Sequence, residues 1–272
     1  MREGYWVIRT YEAGAIGEKI KFWVPGRKPT KSERRLKTEA AKALSNETSA
    51  VKRLARILNA NYGKGDVLLG LDYSPEGYAT LISGIDGWDT LGEVEQLEAI
   101  RREAEHQAKL CLRRVKYALK KQGIEAKTVL VTSDMDGETG EHVRVHHHLV
   151  INREAAEAFA EKWSLGGVEQ ESMSGQKDYK PIAEYLLKQV RKIPDAKKYT
   201  PSRNLVQPQP KDRIVAGGSL MRPPKGAVVL QFDVRTAWQP QYLRYILPAA
   251  ADLGGTVYGR KRRETGNPAV LE

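Results

Sequence analysis

The sequence predicts an α+β fold in which a central antiparallel sheet has helices on one face. Three observations support this prediction. Short apolar stretches, among them 67–73, 129–132 and 145–151, are separated by turn residues, as is typical of strands. A longer stretch that begins near residue 93 places its apolar side chains along one helical stripe. The order strand, helix, strand, strand, helix favours helices packed on one side of a sheet, which leaves the other side free for a site.

Composition divides the chain into three parts. Residues 1–54 are predicted to form a basic N-terminal extension with two strand-like stretches and a basic helix. Residues 55–206 hold the predicted sheet and its helices. Residues 207–272 are predicted to be an accessory segment that contains several prolines and ends in a basic tail.

The charge balance indicates a polyanionic partner. The 272 residues include 45 Lys and Arg against 34 Asp and Glu, so the net charge is +11 at neutral pH. A surplus of this size favours nucleic acid. The single cysteine excludes an internal disulfide framework and fits a reducing cytoplasm. We see neither a secretory signal nor an apolar run of the roughly 18 residues that a membrane helix needs, so we expect a cytoplasmic protein with no membrane partner.

The most informative segment is the predicted strand that contains His146, His147 and His148. Successive side chains of a strand point to opposite faces, so His146 and His148 lie on one face and His147 on the other. Two imidazoles at this spacing can bind one divalent metal ion, and a carboxylate can complete a mixed nitrogen and oxygen site. Asp134, at the end of the preceding strand, is the first choice for this carboxylate. Asp136 is the second choice, because the sequence leaves the hairpin register open.

A tyrosine and a lysine share one face of the helix predicted over residues 182–192. The apolar residues of this helix form a separate stripe, and Tyr185 and Lys188 lie on the polar, basic face. A phenol has a pKa of about 10 and needs activation before it can act as a nucleophile. A metal ion that withdraws charge from a phosphate, and a lysine that stabilises the developing negative charge, would help its attack. Tyr179 and Tyr199 are rival nucleophiles.

With these residues the chain resembles the HUH endonuclease superfamily, and within it the rolling-circle replication initiators of phages and plasmids. The His-U-His motif of that superfamily is matched by residues 146–148. The position U is normally bulky and apolar, and His147 departs from that pattern while both metal positions are kept. The Tyr-x-x-Lys motif is matched by residues 185–188.

Two further segments contribute to the resemblance. The first strand motif of the family corresponds to residues 70–73, where Gly70 and Asp72 depart from the usual Thr-Leu-Thr-like sequence. Residues 199–205 resemble a segment that follows the tyrosine helix in such initiators. The resemblance covers roughly residues 55–206, and the ends of the chain lie outside it.

The resemblance implies a central antiparallel sheet related to the RNA-recognition fold, and it implies a mechanism. A Mg²⁺ or Mn²⁺ ion would be bound by His146, His148 and Asp134. Tyr185 would be the nucleophile and Lys188 the charge stabiliser, giving a 5′-phosphotyrosine and a free 3′-OH. The implied partners are single-stranded DNA at a replication origin, a host polymerase that extends the 3′-OH, and a host helicase, since the chain has no Walker-type NTPase motif.

Basic and aromatic residues outside the predicted site are candidates for DNA binding. Arg144 shares the face of His146 and is a good candidate for a phosphate contact. Four cationic side chains follow on or after the tyrosine helix, namely Lys192, Lys197, Lys198 and Arg203. Four aromatic side chains could stack on bases, namely Trp163, Trp238, Tyr242 and Tyr245.

Two alternatives stay open. A single-tyrosine transposase or a conjugative relaxase of the same superfamily would use similar chemistry. Relaxases usually place the tyrosine ahead of the histidines, and such transposases are typically shorter. A catalytically inert nucleic-acid-binding module with a structural Zn²⁺ ion would need four protein ligands, usually including cysteine. Cys111 is the single cysteine, and it lies in the apolar stripe of the long helix, where it is expected to be a core residue rather than a zinc ligand. We therefore favour the replication initiator over both alternatives.

Overall fold

The described residues form two five-stranded antiparallel sheets. The computed structural model describes residues 4–26, 39–191, 197–234 and 236–251. Sheet A consists of β1 (Tyr5–Ala13), β2 (Ile16–Val24), β8 (Lys211–Val215), β9 (Val228–Asp233) and β10 (Gln241–Ile246), in the order β8-β1-β2-β10-β9. Sheet B consists of β3 (Val67–Leu71), β4 (Thr128–Met135), β5 (His142–Ile151), β6 (Val168–Ser172) and β7 (Thr200–Pro201), in the order β6-β3-β5-β4-β7.

Helices separate and cover these sheets, which confirms the predicted α+β class. They are α1 (Glu39–Asn61), α2 (Pro75–Ser83), α3 (Glu93–Lys120), α4 (Arg153–Lys162), α5 (Lys180–Lys188) and α6 (Pro248–Ala251), with a short 3-10 helix at Trp88–Thr90. The long helix and the hairpin lie where the sequence predicts them, whereas the tyrosine helix, predicted over residues 182–192, spans Lys180–Lys188. Within the described ranges, no helix combines the length and the apolar character needed to cross a membrane.

Sheet B carries helices on both faces, so the expectation of one helix-free face is not met. Leu130 and Leu149 pack on one side in a core with α3 and α4. Val131 and Val150 pack on the other side in a core with α1 and α5. The physical reason lies in the strands themselves, because uninterrupted apolar runs such as 149–151 make both faces hydrophobic and both must be covered.

The predicted boundaries after residues 54 and 206 do not separate structural units. Strands β1 and β2 come from the predicted extension and pair directly with β8 and β10 from the predicted accessory segment. Helix α1 crosses the first boundary and packs on the core of sheet B. Its basic residues also have internal partners, since Lys52 lies over the Tyr242 ring and Arg56 over the Tyr11 ring, each at 3.7 Å.

A buried ionic network joins sheet A, α1 and the segment that leads into α5. Arg244 on β10 is 1% exposed and binds both Glu18 on β2 and Asp178. Arg56 on α1 also donates to Glu18, at 2.7 Å. Burial alone would lower the pKa of Arg244, but its hydrogen bonds to Asp178 and the negative charges of Asp178 and Glu18 together outweigh burial and raise the pKa. The side chain therefore stays charged between two carboxylates.

We expect Arg244→Ala to lower the free energy of unfolding by about 3–5 kcal/mol, because it leaves two buried carboxylates without their main partner. The control is Arg9→Ala, which removes the more exposed Arg9–Asp212 pair and is expected to change the free energy by about 1 kcal/mol or less. Urea unfolding of both variants measures the difference. Equal losses in the two variants would contradict the role assigned to Arg244.

Candidate active site

The β4–β5 hairpin presents the histidines on two faces, as predicted. His146 pairs with Ser133 and His148 with Val131 across the hairpin, so both lie on the face that packs against α5. Their ring centroids are 5.1 Å apart. His147 points to the α3 side and is fully buried. Strand alternation thus brings two imidazoles together and removes the third from the site.

Gln189 supplies an oxygen atom to this pair of histidines. Its Oε1 lies 3.1 Å from His146 Nε2 and 3.2 Å from His148 Nε2. Gln189 directly follows α5, and its carbonyl accepts a hydrogen bond from the Met135 N–H at the end of β4. A Cβ atom at Gly137 would lie 3.2 Å from Gln189 Cγ, so the hairpin loop also holds this side chain in place.

The hydrogen-bond pattern of His146 leaves its Nε2 lone pair aimed at Gln189. The Nδ1 of His146 lies 3.1 Å from the carbonyl oxygen of Arg144, which can only accept, so Nδ1 carries the hydrogen. In the neutral ring, Nε2 is then an acceptor 3.1 Å from the Gln189 amide, which can share a cation with it through the oxygen or, with the amide turned by 180°, donate to it through the nitrogen. Metal-bound histidines commonly donate their second N–H to a backbone carbonyl in this manner.

Two of the separations among these donor atoms match those around a small divalent ion. Ligands about 2.1 Å from an ion, in adjacent octahedral positions, are about 3.0 Å apart, close to the separations at Gln189. Burial lowers the pKa of His148 to about 4, so its ring is neutral and able to coordinate at physiological pH. In the described part of the chain, no cluster of three or more His, Cys, Asp or Glu is placed to bind a metal, and the third donor here is an amide.

The structure does not bring the two predicted carboxylates to the histidines. The register of β4 shifts between Ser133 and Met135, and the Asp134 carboxylate binds Arg191 at 2.6 Å and approaches Arg101 at 3.7 Å. Asp136 lies in the hairpin loop, where its carboxylate accepts the N–H groups of residues 138 and 139. Hydrogen bonds from Thr139 first, and then from Glu138, lower the pKa of Asp136. The group next to the two histidines is the Gln189 amide rather than either carboxylate.

The tyrosine helix places Tyr185 beside the histidines. The Tyr185 ring lies edge-on to the His148 ring with centroids 5.4 Å apart, and Tyr185 is 52% exposed. Lys188 is exposed, and its aliphatic carbons lie near Gly137 in the hairpin loop. Its charge also contributes to the lowered pKa of Asp136, after the backbone hydrogen bonds. Tyr185 is thus in the site, and Lys188 lies at its edge next to the loop.

His147 is a structural residue. The Tyr73 hydroxyl donates to the Ala104 carbonyl at 3.1 Å and therefore accepts from His147 Nε2, at 2.8 Å. The other ring nitrogen, Nδ1, then accepts from the Thr132 hydroxyl at 3.1 Å. Burial, followed by the charges of the neighbouring histidines, lowers the pKa of His147 to about 3. Its ring is neutral and fully hydrogen-bonded on the α3 side of the sheet.

The two departures from the first strand motif have structural explanations. Gly70 on β3 pairs with His148 of β5 on one side and with Glu169 of β6 on the other. Because glycine has no side chain, nothing on β3 separates the Glu169 carboxylate from the His148 ring. A Cβ at Gly70 would make only ordinary contacts with Glu169. Asp72 accepts the N–H of Gly167 and thereby closes the loop that follows α4.

The predicted DNA-binding residues are spread around the sheet. The guanidinium of Arg144 lies over the Tyr78 ring at 4.6 Å. Arg203 is exposed and follows Ser202, which binds the start of β4 at Thr128. Thr128 lies roughly 10–17 Å along the strand from the positions opposite the two histidines, at about 3.4 Å per residue. Lys197 is exposed and Lys198 is half-buried. Lys192 lies outside the described residues.

The sequence does contain a signal for Gln189. It lies four residues after Tyr185, and side chains at this spacing share one face of a helix. Gln189, the C-cap of α5, therefore continues the helix face that carries Tyr185. The sequence alone does not show that this face meets the histidines, because that contact depends on how α5 packs on sheet B.

We expect Gln189→Ala to weaken Mn²⁺ binding by about tenfold or more, since it removes the oxygen donor. Gln189→Glu keeps an oxygen and is expected to retain binding. Mn²⁺ titration followed by electron paramagnetic resonance measures the affinities. The control Asp136→Asn keeps the turn and should bind as the wild type does. Loss of Mn²⁺ binding in Asp134→Asn but not in Gln189→Ala would identify Asp134, and not Gln189, as the third metal ligand.

The buried His147 predicts a pH dependence of stability. Its pKa rises from about 3 in the folded chain toward the ordinary value of 6.5 on unfolding, so between these values only the unfolded chain takes up the proton. The free energy of unfolding should therefore fall as the pH falls from 6.5 toward 3, by at most about 1.4 kcal/mol per pH unit for this group. Urea unfolding across this range should give a shallower slope for His147→Phe, and equal slopes would contradict the assignment.

Two imidazole nitrogens, an amide oxygen and an accessible phenol thus lie together where β5 meets α5. The amide oxygen is the component that the sequence did not identify. No protein-family model, curated protein or solved structure matches the chain.

Proposed function

We propose that this protein is a metal-dependent HUH endonuclease that nicks single-stranded DNA at a replication origin. The observation that carries the proposal is the position of Tyr185, whose ring lies beside His148 while His148 and His146 share the Gln189 oxygen. The proposed nucleophile and the proposed metal donors are thereby adjacent. The exposure of Tyr185 gives a polymer strand access to this group.

The proposed reaction exchanges one phosphate ester for another. The Tyr185 oxygen loses its proton and bonds to phosphorus, and the bond between phosphorus and the 3′ oxygen breaks. The 3′ oxygen takes up a proton and becomes a free 3′-OH, while the 5′ phosphate stays on Tyr185. A Mg²⁺ or Mn²⁺ ion held by His146, His148 and Gln189 would polarise the phosphate. Lys188, three residues after Tyr185 on α5, would stabilise the developing negative charge.

The surroundings of the rival tyrosines favour Tyr185 as the nucleophile. Tyr179 is buried, and its hydroxyl has no hydrogen-bond partner among the described residues. Tyr199 is half-buried against the core between α1 and sheet B. Burial raises the pKa of both phenols, which opposes formation of the phenolate that attacks.

Several properties fit a replication initiator that acts in the cytoplasm. A net charge of +11 favours binding to DNA. The antiparallel sheet with two histidines on a strand beside the tyrosine helix is compatible with the HUH fold. The free 3′-OH would serve as a primer for a host polymerase, and strand separation would be left to a host helicase.

We expect Tyr185→Phe to abolish covalent attachment to DNA, with a loss on the order of 10³-fold or more, because no oxygen remains at this position to attack phosphorus. A pool of randomised single-stranded DNA is incubated with the protein and Mn²⁺. Protein-linked DNA is then measured on a denaturing gel and sequenced, so the origin need not be known beforehand.

The matched control is Tyr117→Phe, which changes an exposed tyrosine on α3 and should leave the adduct unchanged. EDTA should also abolish the adduct. Adducts that persist in Tyr185→Phe would contradict the assignment of the nucleophile. Tight DNA binding by the wild type without any adduct would favour the inert binding module instead.

A further inference from the structure

The face of sheet A that points away from α1 contains an open cleft of about 590 Å³. Glu18 on β2 faces α1, where it binds Arg56, so its neighbour Lys19 lies on the opposite face. Strands β1, β2 and β8 and the loop at 219–222 line the cleft. The cleft therefore lies on a different layer of the molecule from the histidines of sheet B.

The cleft is cationic. Four basic side chains line it, namely Lys19, Lys211, Arg213 and Arg222. Within the described part of the chain none of them forms a salt bridge, and both carboxylate oxygens of Asp212, the acidic residue of the lining, bind Arg9. Burial first, and then the nearby Arg213 charge, lower the pKa of Lys19. Positive charges held close together without carboxylate partners favour an anionic ligand.

An exposed indole lies next to this cleft. Trp238 is 69% exposed, whereas Trp163, Tyr242 and Tyr245 are buried. The Trp238 ring rests on the backbone of two glycines: a Cβ at Gly217 would overlap it, and a Cβ at Gly218 would lie 3.6 Å from it. One side of the indole is thus supported by the loop that continues into the cleft lining, and the ring remains largely open to solvent.

A buried lysine fixes the indole relative to the cleft. The Lys21 ammonium donates to the carbonyls of Gly217 at 2.6 Å, Ser219 at 2.5 Å and Ala237 at 2.7 Å. Ser219 lines the cleft, and Ala237 directly precedes Trp238. The buried Lys21 side chain therefore connects the loop that contains Gly217 and Ser219 with the loop that contains Ala237 and Trp238. These hydrogen bonds hold the indole in a fixed position relative to the cleft.

We propose that this face of sheet A is a second binding surface for single-stranded DNA. The four cationic side chains would bind backbone phosphates, and Trp238 would stack on an unpaired base. Cationic grooves combined with accessible aromatic rings are what single strands require, since an unpaired base exposes its flat face. The choice of DNA among polyanions rests on the proposed function, whereas the cleft and the indole are independent of the tyrosine.

The first test measures binding without chemistry, in Tyr185→Phe protein. The probe is a fluorescein-labelled single strand of mixed sequence of about 20 nucleotides, longer than the about 4–16 nucleotides that single binding folds cover. We expect Lys211→Glu with Arg213→Glu to weaken binding about tenfold or more near 0.1 M salt. The slope of log K against log salt concentration should become shallower by about 1–2.

The matched control is Arg113→Glu with Lys120→Glu, two exposed positions on α3 with the same change in net charge. It should weaken binding by less than about threefold, through net charge alone. Equal weakening in the two double variants, or an unchanged salt slope in the cleft variant, overturns the proposal. Binding of phosphatidylserine vesicles without binding of the oligonucleotide also overturns it.

The second test addresses stacking. Trp238→Ala should weaken binding by about tenfold, while Trp238→Phe keeps a ring and should retain most of the affinity. The quenching of tryptophan fluorescence by DNA should be lost in Trp238→Phe. Quenching that persists in this variant, or wild-type affinity in Trp238→Ala, overturns the stacking role.

The two proposals fail separately. If the wild type forms covalent adducts while DNA binding does not depend on the cleft residues, the result would support the proposed nickase activity and contradict the second binding surface. DNA binding that depends on Lys211, Arg213 and Trp238, without any covalent adduct, would support the second binding surface and contradict the proposed nickase activity.

Discussion

The bridge from Glu18 through Arg244 to Asp178 is the interaction on which the site most depends. Glu18 and Arg244 are 226 residues apart in sequence and lie on adjacent strands of sheet A. Asp178 lies two residues before α5, and its carboxylate also accepts the Lys180 N–H at 2.9 Å. Asn59 on α1 accepts the N–H of the intervening residue at 2.7 Å. The start of the tyrosine helix is therefore fixed by contacts from sheet A and α1 together, so both ends of the chain contribute to placing the nucleophile.

Strand geometry then gives three consecutive histidines two different roles. On one face, His147 is enclosed between Tyr73 and Thr132, and its burial keeps the ring neutral. On the other face, His146 and His148 meet the end of α5, where the Gln189 amide lies beside both rings. An apolar residue at the position of His147 could fill the same volume, but it would leave the Thr132 hydroxyl to find another partner. The unusual central histidine is thus explained by the polar groups it satisfies rather than by metal binding.

Local patterns in the sequence predicted the elements of the site well, and they failed where tertiary contacts decide. The alternation of the histidine strand and the helical face of Tyr185 are local properties, and both are found in the structure. Asp134 was assigned from the hairpin alone, but an irregularity in β4 and two arginines from other elements determine its position. Sheet A was not predicted, because nothing local indicates that strands near residue 10 pair with strands beyond residue 210. The covering of both faces of sheet B was not predicted either, although the continuous apolar runs of its strands were a local signal for it.

Helix α5 carries Tyr185 and is followed directly by Gln189, so the position of this helix affects both side chains. Tyr185 and Gln189 are four residues apart, about 6 Å along the helix axis. Helix α5 is held at its start by Asp178 and Asn59 and just beyond its end by the hydrogen bond from Met135 to Gln189. A displacement of α5 would therefore move the phenol and the amide oxygen together relative to the histidines. Loss of either anchor should impair metal binding and nucleophile placement in parallel, whereas a change confined to the Tyr185 hydroxyl should affect the chemical step alone.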